Sequence, residues 1–181
     1  MTEETRRDDA TGSEVSEAWL ARMGYSRQTR LWRDAAGRWF DGEQPIEHVG
    51  LCRAFDGWVD RAPDGRPCLR NAIHWVYVRI EGPYYFVQGL RFEPDGAVRL
   101  LLSGGREAPL RPETLREARE GGLWCSVFET ALPARFDVES AQRLVERCGR
   151  LVGDRLLLRI GRWEGEVPVL DDPLASEPQR R

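Results

Sequence analysis

The sequence predicts an α+β protein in which two related sheet-plus-helix units pack together. Three observations carry that expectation. The stretch from Arg66 to Ser103 is strand-like and broken by turn residues, Gly82-Pro83 and Pro94-Asp95-Gly96. Two segments, Glu47–Asp60 and Val138–Cys148, each carry one apolar stripe at helical spacing. Finally, GRWFDGEQPI (Gly37–Ile46) returns one residue shorter as GRWEGEVPV (Gly161–Val169) near the other end. Chance recurrence of three residues is the competing explanation, but the shared Gly-Glu and Pro-aliphatic positions that follow favour duplication. A hairpin with one helix buries its stripe poorly by itself, so the two units must share a core.

The elements follow in order. Residues 1–13 are polar and charged and read as a loose tail. Val15, Trp19 and Met23, with Leu20 beside them, predict a helix over Glu14–Met23, capped by Thr11 or Ser13 and stopped at Gly24. Strands Gln28–Asp34 and Arg38–Gly42 are joined by Ala35-Ala36-Gly37. Pro45 cannot donate to a ladder, so it ends the second strand and presets the backbone for the next helix. In that helix, Glu47–Asp60, the residues Leu51, Cys52, Phe55, Trp58 and Val59 face one way, and Arg53, Asp56 and Asp60 the other. Ala62-Pro63-Asp64-Gly65 is a turn. Strands over Ile73–Ile80, Tyr84–Phe92 and Ala97–Leu102 complete a first unit, 14–103.

The second unit, 104–170, opens with a short helix over Pro112–Glu120, started by proline and ended by Gly121-Gly122. An extended run, Leu123–Phe136, comes next. Asp137 caps the helix Val138–Cys148, whose inward face is Val138, Ala141, Leu144, Val145 and Cys148. A last hairpin pairs Arg155–Gly161 with Val167–Leu170 around Glu164-Gly165, and 171–181 is a second polar tail.

Bulk properties exclude several functions. The net charge of −3 argues against long nucleic acid as a partner, which needs a basic footprint. No apolar run approaches the ~18 residues of a membrane span. The first 13 residues hold no apolar signal core, so the expectation is a cytoplasmic protein with reduced thiols at Cys52, Cys68, Cys125 and Cys148. All 27 basic residues are Arg, suited to planar anions, although GC-rich coding produces the same excess along a whole chain. His48 and Cys52 have the spacing of two metal ligands, but no second pair joins them, so no metal or cofactor is expected.

The run DAAGRWFDGEQPI (Asp34–Ile46), then Leu51, Phe55, Asp64-Gly65 and Ile80-Glu81-Gly82-Pro83, resembles the bacterial family DUF1285. Leu144-Val145-Glu146 through Gly161–Leu170 is similar to that family's ending. Ser103-Gly104-Gly105 through Gly122-Leu123-Trp124 is similar to a related uncharacterised family. The resemblance implies a duplicated α+β arrangement whose second half is loosely pleckstrin-homology-like. It also implies a small nucleotide-like ligand where the halves meet, and a signalling role; it implies no enzymatic activity. Gly82 stands where the family has an acidic residue, and Ala72-Ile73-His74 replaces a charged pair, which puts ligand identity in doubt.

The stretch IHWVYVRIEGPYYFVQGLRF (Ile73–Phe92) is where a ligand could sit. With period two, Trp75, Tyr77 and Arg79 share a face, and on the next strand Tyr85 and Arg91 share one. Side by side they would form a surface of rings and guanidiniums able to stack a base or another planar anion, at ~1–3 kcal/mol per base. The competing assignment is core packing, for which aromatics are enriched in strands anyway. Ser103-Gly104-Gly105-Arg106 could cradle an anion but lacks the ending of a phosphate loop, which favours a plain strand-ending turn. His74 with Glu81 or Asp95 has no recognisable nucleophile. The sequence therefore points to a non-enzymatic module binding a small nucleotide-like or planar anionic ligand. A protein-interaction scaffold using an exposed sheet edge is the alternative, and an enzyme acting on a nucleotide the third reading.

Overall fold

The computed structural model describes residue 22 and residues 26–153 and 155–174. The predicted helix Glu14–Met23 (save residue 22), the tail 1–13 and residues 175–181 lie outside the described residues. The architecture is α+β: two helices beside four sheets among the described residues. No helix among them is long and apolar enough to cross a membrane.

The chain opens with the hairpin β1 (Leu31–Arg33) and β2 (Trp39–Asp41), then β3 (Gln44–Pro45). Helix α1 (Val49–Trp58) is capped by His48, whose imidazole accepts from the Leu51 amide at 3.1 Å. A meander of β4 (Val59–Arg61), β5 (Pro67–Arg70) and β6 (Trp75–Tyr77) forms its own three-stranded sheet. The turn between β4 and β5 is the predicted Ala62–Gly65, with Gly65 at φ +87° and its amide on the Ala62 carbonyl. Immediately after β6 the chain changes sheets, and β7 (Arg79–Ile80) runs parallel to β1.

A seven-stranded sheet holds most of the core and draws its strands from both predicted units. Its order is β10 (Glu107–Pro109), β9 (Val98–Leu102), β8 (Tyr85–Phe92), β13 (Leu132–Phe136), β12 (Leu123–Val127), β11 (Arg116–Ala118) and β17 (Val169–Leu170). Helix α2 (Val138–Cys148) packs on it through Leu144, with Asp137 accepting from the Ser140 amide at 2.7 Å as N-cap. The sheet β14 (Gly149–Val152), β15 (Arg155–Ile160) and β16 (Trp163–Glu166) follows directly.

The recurring G-R-W phrase performs the same local task twice. Gly37 (φ +89°) and Gly161 (φ +57°) sit in hairpin turns at backbone angles that disfavour a Cβ, and Trp39 and Trp163 are the first residues of the strands that follow.

Several sequence expectations fail. Pro112–Glu120 is not a helix: after one 3-10 turn, Pro112–Thr114, the chain straightens into β11, which pairs with β12 and β17. Strand pairing overrides local helix propensity there. The last hairpin turns at Gly161-Arg162, not Glu164-Gly165, so Ile160 faces Trp163 and Val169–Leu170 leaves for the large sheet. In α2, Val138 is exposed and Ser140 takes its inward place.

Helix α1 departs furthest, because none of its residues is fully buried and Leu51 and Trp58 are exposed. Asp56, expected to face outward, points inward. Its carboxylate accepts from Arg33 at 2.8 Å and from the Trp39 indole at 2.9 Å. Arg33 is wholly buried on β1 and also donates to the Pro83 carbonyl (2.5 Å) and the Tyr84 carbonyl (2.8 Å). Desolvation pulls its pKa down, and Asp56 opposes that. Breaking such a buried pair costs ~3–5 kcal/mol.

The 3-10 turn Ser103–Gly105 docks against α1 at backbone level. A Cβ on Gly104 (φ +74°) would lie 2.1 Å from the Gly57 nitrogen. That close approach is what the glycine is for, so the Ser103–Arg106 stretch is a packing turn, not an anion cradle.

Candidate functional site

The face predicted from period two does not form, for two physical reasons. The segment Ile73–Ile80 breaks at Val78, so Arg79 belongs to a different sheet from Trp75 and Tyr77. In β8 the register slips between Val87 and Gly89, which puts Tyr85 in the core and Arg91 outside. Trp75 and Tyr77 stack edge-on at 4.9 Å in a small core with Ala62 and Cys68, and the Arg27 guanidinium covers the Trp75 ring at 3.7 Å. Arg91 is exposed and pairs with Glu107 across the sheet at 3.1 Å. Of the five residues, Tyr77 and Arg79 reach one cavity, while Tyr85 supports another.

The first cavity is a cleft of about 550 Å³ between the sheet of β1 and the sheet of β5 and β6, lined by Arg30, Trp32, Arg66, Tyr77 and Arg79 among others. Register places Arg79 directly opposite Trp32, and its guanidinium lies 4.5 Å from that ring. Arg66 covers Tyr77 at 3.6 Å. Each guanidinium has a carboxylate: Arg30 on Asp41 (3.2 Å), Arg66 on Asp64 (2.7 Å) and Arg79 on Glu81 (3.5 Å). Arg66, with the Tyr77 hydroxyl at 2.8 Å, holds the Asp64 carboxyl down to about 2. The cleft is thus cationic in composition but neutral in its pairs.

The second cavity, about 490 Å³, lies where the chain on either side of residue 103 meets. Asp60 of β4, Arg106 and Pro109 beside and in β10, Arg111, and Phe128 to Thr130 of the β12–β13 turn line it. Arg106 lies over the Phe128 ring at 4.0 Å and donates to the Tyr85 hydroxyl at 2.9 Å. That hydroxyl in turn donates to the Val59 carbonyl at 2.5 Å, so Tyr85 fixes Arg106 against β4. Burial pushes the Tyr85 phenol up, against the opposing pull of Arg106. Arg111 donates to the Ser126 carbonyl at 3.4 Å. Neither Arg106 nor Arg111 has a carboxylate within ion-pair distance among the described residues. Asp60 is engaged by Arg70 at 3.1 Å, and Glu129 stands at the exposed rim.

The turn that forms one wall is strained. Phe128 (φ +59°) and Ala131 (φ +51°) are the non-glycine residues with positive φ among those described. Such angles cost of order 1–3 kcal/mol each and cluster at ligand sites.

No family model and no curated protein matches the chain. Two solved structures do match in shape. One is a DUF1285 family protein from Silicibacter pomeroyi DSS-3, with a TM-score of 0.60 and 15% identity over 77% of this chain and 80% of that one. The other is a DUF1285 family protein from Shewanella baltica OS155, with a TM-score of 0.52 and 14% identity over 67% of this chain and 94% of that one. The chain has the DUF1285 fold. At these identities the likeness speaks for the fold alone.

On the DUF1285 fold of this chain, sequence reasoning missed Trp32, Arg66, Arg111 and Phe128, and it noticed Arg106 only as part of a loop. Phe128-Glu129-Thr130-Ala131 contains no glycine, proline or asparagine, so nothing in it announced a turn at positive φ. Among the described residues no three His, Cys, Asp or Glu side chains gather as a metal cluster. His48 instead caps α1, and the Cys52 thiol donates to the Ile46 carbonyl at 3.1 Å.

Proposed function

We propose that this protein is a non-enzymatic binding module whose seam cavity takes a small organic anion with a planar or apolar body, nucleotide-like in class. The observation that supports the reading most is the pair Arg106 and Arg111, which face one cavity without a carboxylate counter-ion. Guanidiniums held in this way offer charge-assisted, bidentate bonds to phosphate or carboxylate. The Phe128 ring and Pro109 supply apolar surface for the rest of the ligand, and Glu129 at the same cavity suits an amino group on a base. A ligand that bridges residues from both sides of position 103 would also tie the two units together, which suits a signalling role.

A thermal-shift panel of nucleoside mono- and diphosphates, with simple carboxylates and inorganic phosphate beside them, tests this. A ligand at 100 times its Kd stabilises by ~2.7 kcal/mol. For a chain of this size that is a rise of roughly 5–11 °C. The rise is expected for one chemical class and is lost in Arg106→Ala and Arg111→Ala. A panel that leaves the melting temperature unmoved at millimolar concentration rejects the reading.

A further inference from the structure

We propose that the free edge of β14 is a docking strand for an extended, acidic segment of another protein, which aligns beside Gly149–Val152 as an added strand. This surface is separate from the seam cavity, and its occupation needs no small ligand.

The edge itself is the first observation. β14 ends the order β14-β15-β16, so it pairs with β15 on one side and with no strand on the other among the described residues. Sheets commonly blunt such edges with proline. Here β3 and β10 carry Pro45 and Pro109, while β14 and the remaining described sheet ends carry none, and β14 differs from those in bearing two exposed aliphatic side chains. Its Leu151 and Val152 are 73% and 52% exposed, large apolar side chains on an open strand.

Charge selects the occupant. A cavity of about 490 Å³ at the start of β14 is lined by Arg147, Arg150 and Arg159, with Leu157 and a lone carboxylate, Glu164. Arg150 takes that carboxylate at 3.1 Å. Arg147 lies over the Phe92 ring at 4.4 Å, and neither it nor Arg159 has an ion-pair partner among the described residues. This basic patch stands out on a chain whose net charge is −3. An added strand gains its affinity from main-chain hydrogen bonds and its specificity from alternate side chains. Acidic side chains on one face would be drawn by the guanidiniums of Arg147 and Arg159, unpaired among the described residues, and would compete with Glu164 for Arg150, and apolar ones on the other face would cover Leu151. A second copy of this chain would instead bring its own Arg147 and Arg150 against the same patch, and like charges facing across a ladder are destabilising.

The test uses the full chain and a labelled octapeptide of alternating Glu and Val, followed by fluorescence anisotropy, with a Lys/Val octapeptide for comparison. The Glu/Val peptide is expected to bind at least ~10-fold more tightly than the Lys/Val peptide, weakening as salt rises. The double variant Arg147→Glu, Arg150→Glu should lose at least ~10-fold in affinity at an unchanged melting temperature. Should that variant unfold, amide shift changes on the unaltered protein decide instead, and they must cluster on residues 149–152. Equal binding of both peptides, binding that survives the double variant, or shifts elsewhere overturns the proposal. So does a doubling of mass in sedimentation equilibrium that the Glu/Val peptide does not reverse.

Discussion

The cleft beside Trp32 and the seam beneath Phe128 are close in size and similar in residue type, yet they differ in how their arginines are satisfied. In the cleft every guanidinium meets a carboxylate at 2.7–3.5 Å, and in both places a guanidinium lies over a ring. In the seam, Arg106 and Arg111 are held by a phenol, a ring and a carbonyl, all neutral groups. Composition alone would rank the cleft, with three arginines, above the seam. Pairing reverses the order, because an exposed guanidinium with a counter-ion gains little from a second anion, whereas one held by neutral partners keeps its charge for a ligand.

The two regions are joined through Arg33, which follows Trp32 in β1 and donates to the carbonyl of Tyr84, next to Tyr85. The largest effect is therefore expected from Asp56→Ala, which strands a buried guanidinium and should cost ~3–5 kcal/mol by denaturant unfolding. Loss below 1 kcal/mol would mean that the two regions are held independently. Next in size, Arg106→Ala should weaken anion binding in the seam by ~10–150-fold, the worth of one hydrogen bond to a charged group. Arg79→Ala in the cleft should leave that binding within about twofold.

The contrast can also be inverted. Asp64→Asn removes the counter-ion of Arg66, and weak sulfate binding is then expected to appear in the cleft, seen as shifts of the Arg66 and Tyr77 resonances. In the unaltered protein the same pair should resist acid. Asp64 has its carboxyl depressed to about 2 from an ordinary 3.8, so its contribution is whole above 3.8 and is lost as pH falls through about 2. A carboxyl carbon titration with its midpoint near 4 would contradict that geometry. The smallest effect belongs to Ala131→Gly, which relieves a positive φ and should raise stability by ~0.5–1 kcal/mol in thermal unfolding.

Legibility in the sequence followed the range of the interactions. The α1 and α2 segments, the Asp137 cap, the Ala62–Gly65 turn and the strands over Tyr84–Phe92 and Ala97–Leu102 were readable because periodicity and capping are local signals. Faces were not. The predicted plane of Trp75, Tyr77 and Arg79 assumed one unbroken strand, and the change of sheet at Val78 leaves no residue signature, whereas the slip in β8 is marked by Gly89, a bulge signal that the period-two reading passed over. Asp56 was misassigned because polarity on a helix was taken to mean solvent, whereas a buried arginine from β1 required it inside. The seam residues come together from β4, β8, β10 and the β12–β13 turn, separations that no local pattern encodes.

The glycine contact between Gly57 and Gly104 carries a consequence for how this protein can vary. Helix α1 buries no whole side chain and is seated by its spine, with Asp56 as the anchoring carboxylate. Its outer positions are therefore open to wholesale replacement, by drift or by an engineer attaching a label or a fused domain. One added methyl group at residue 104 would unseat the entire rod.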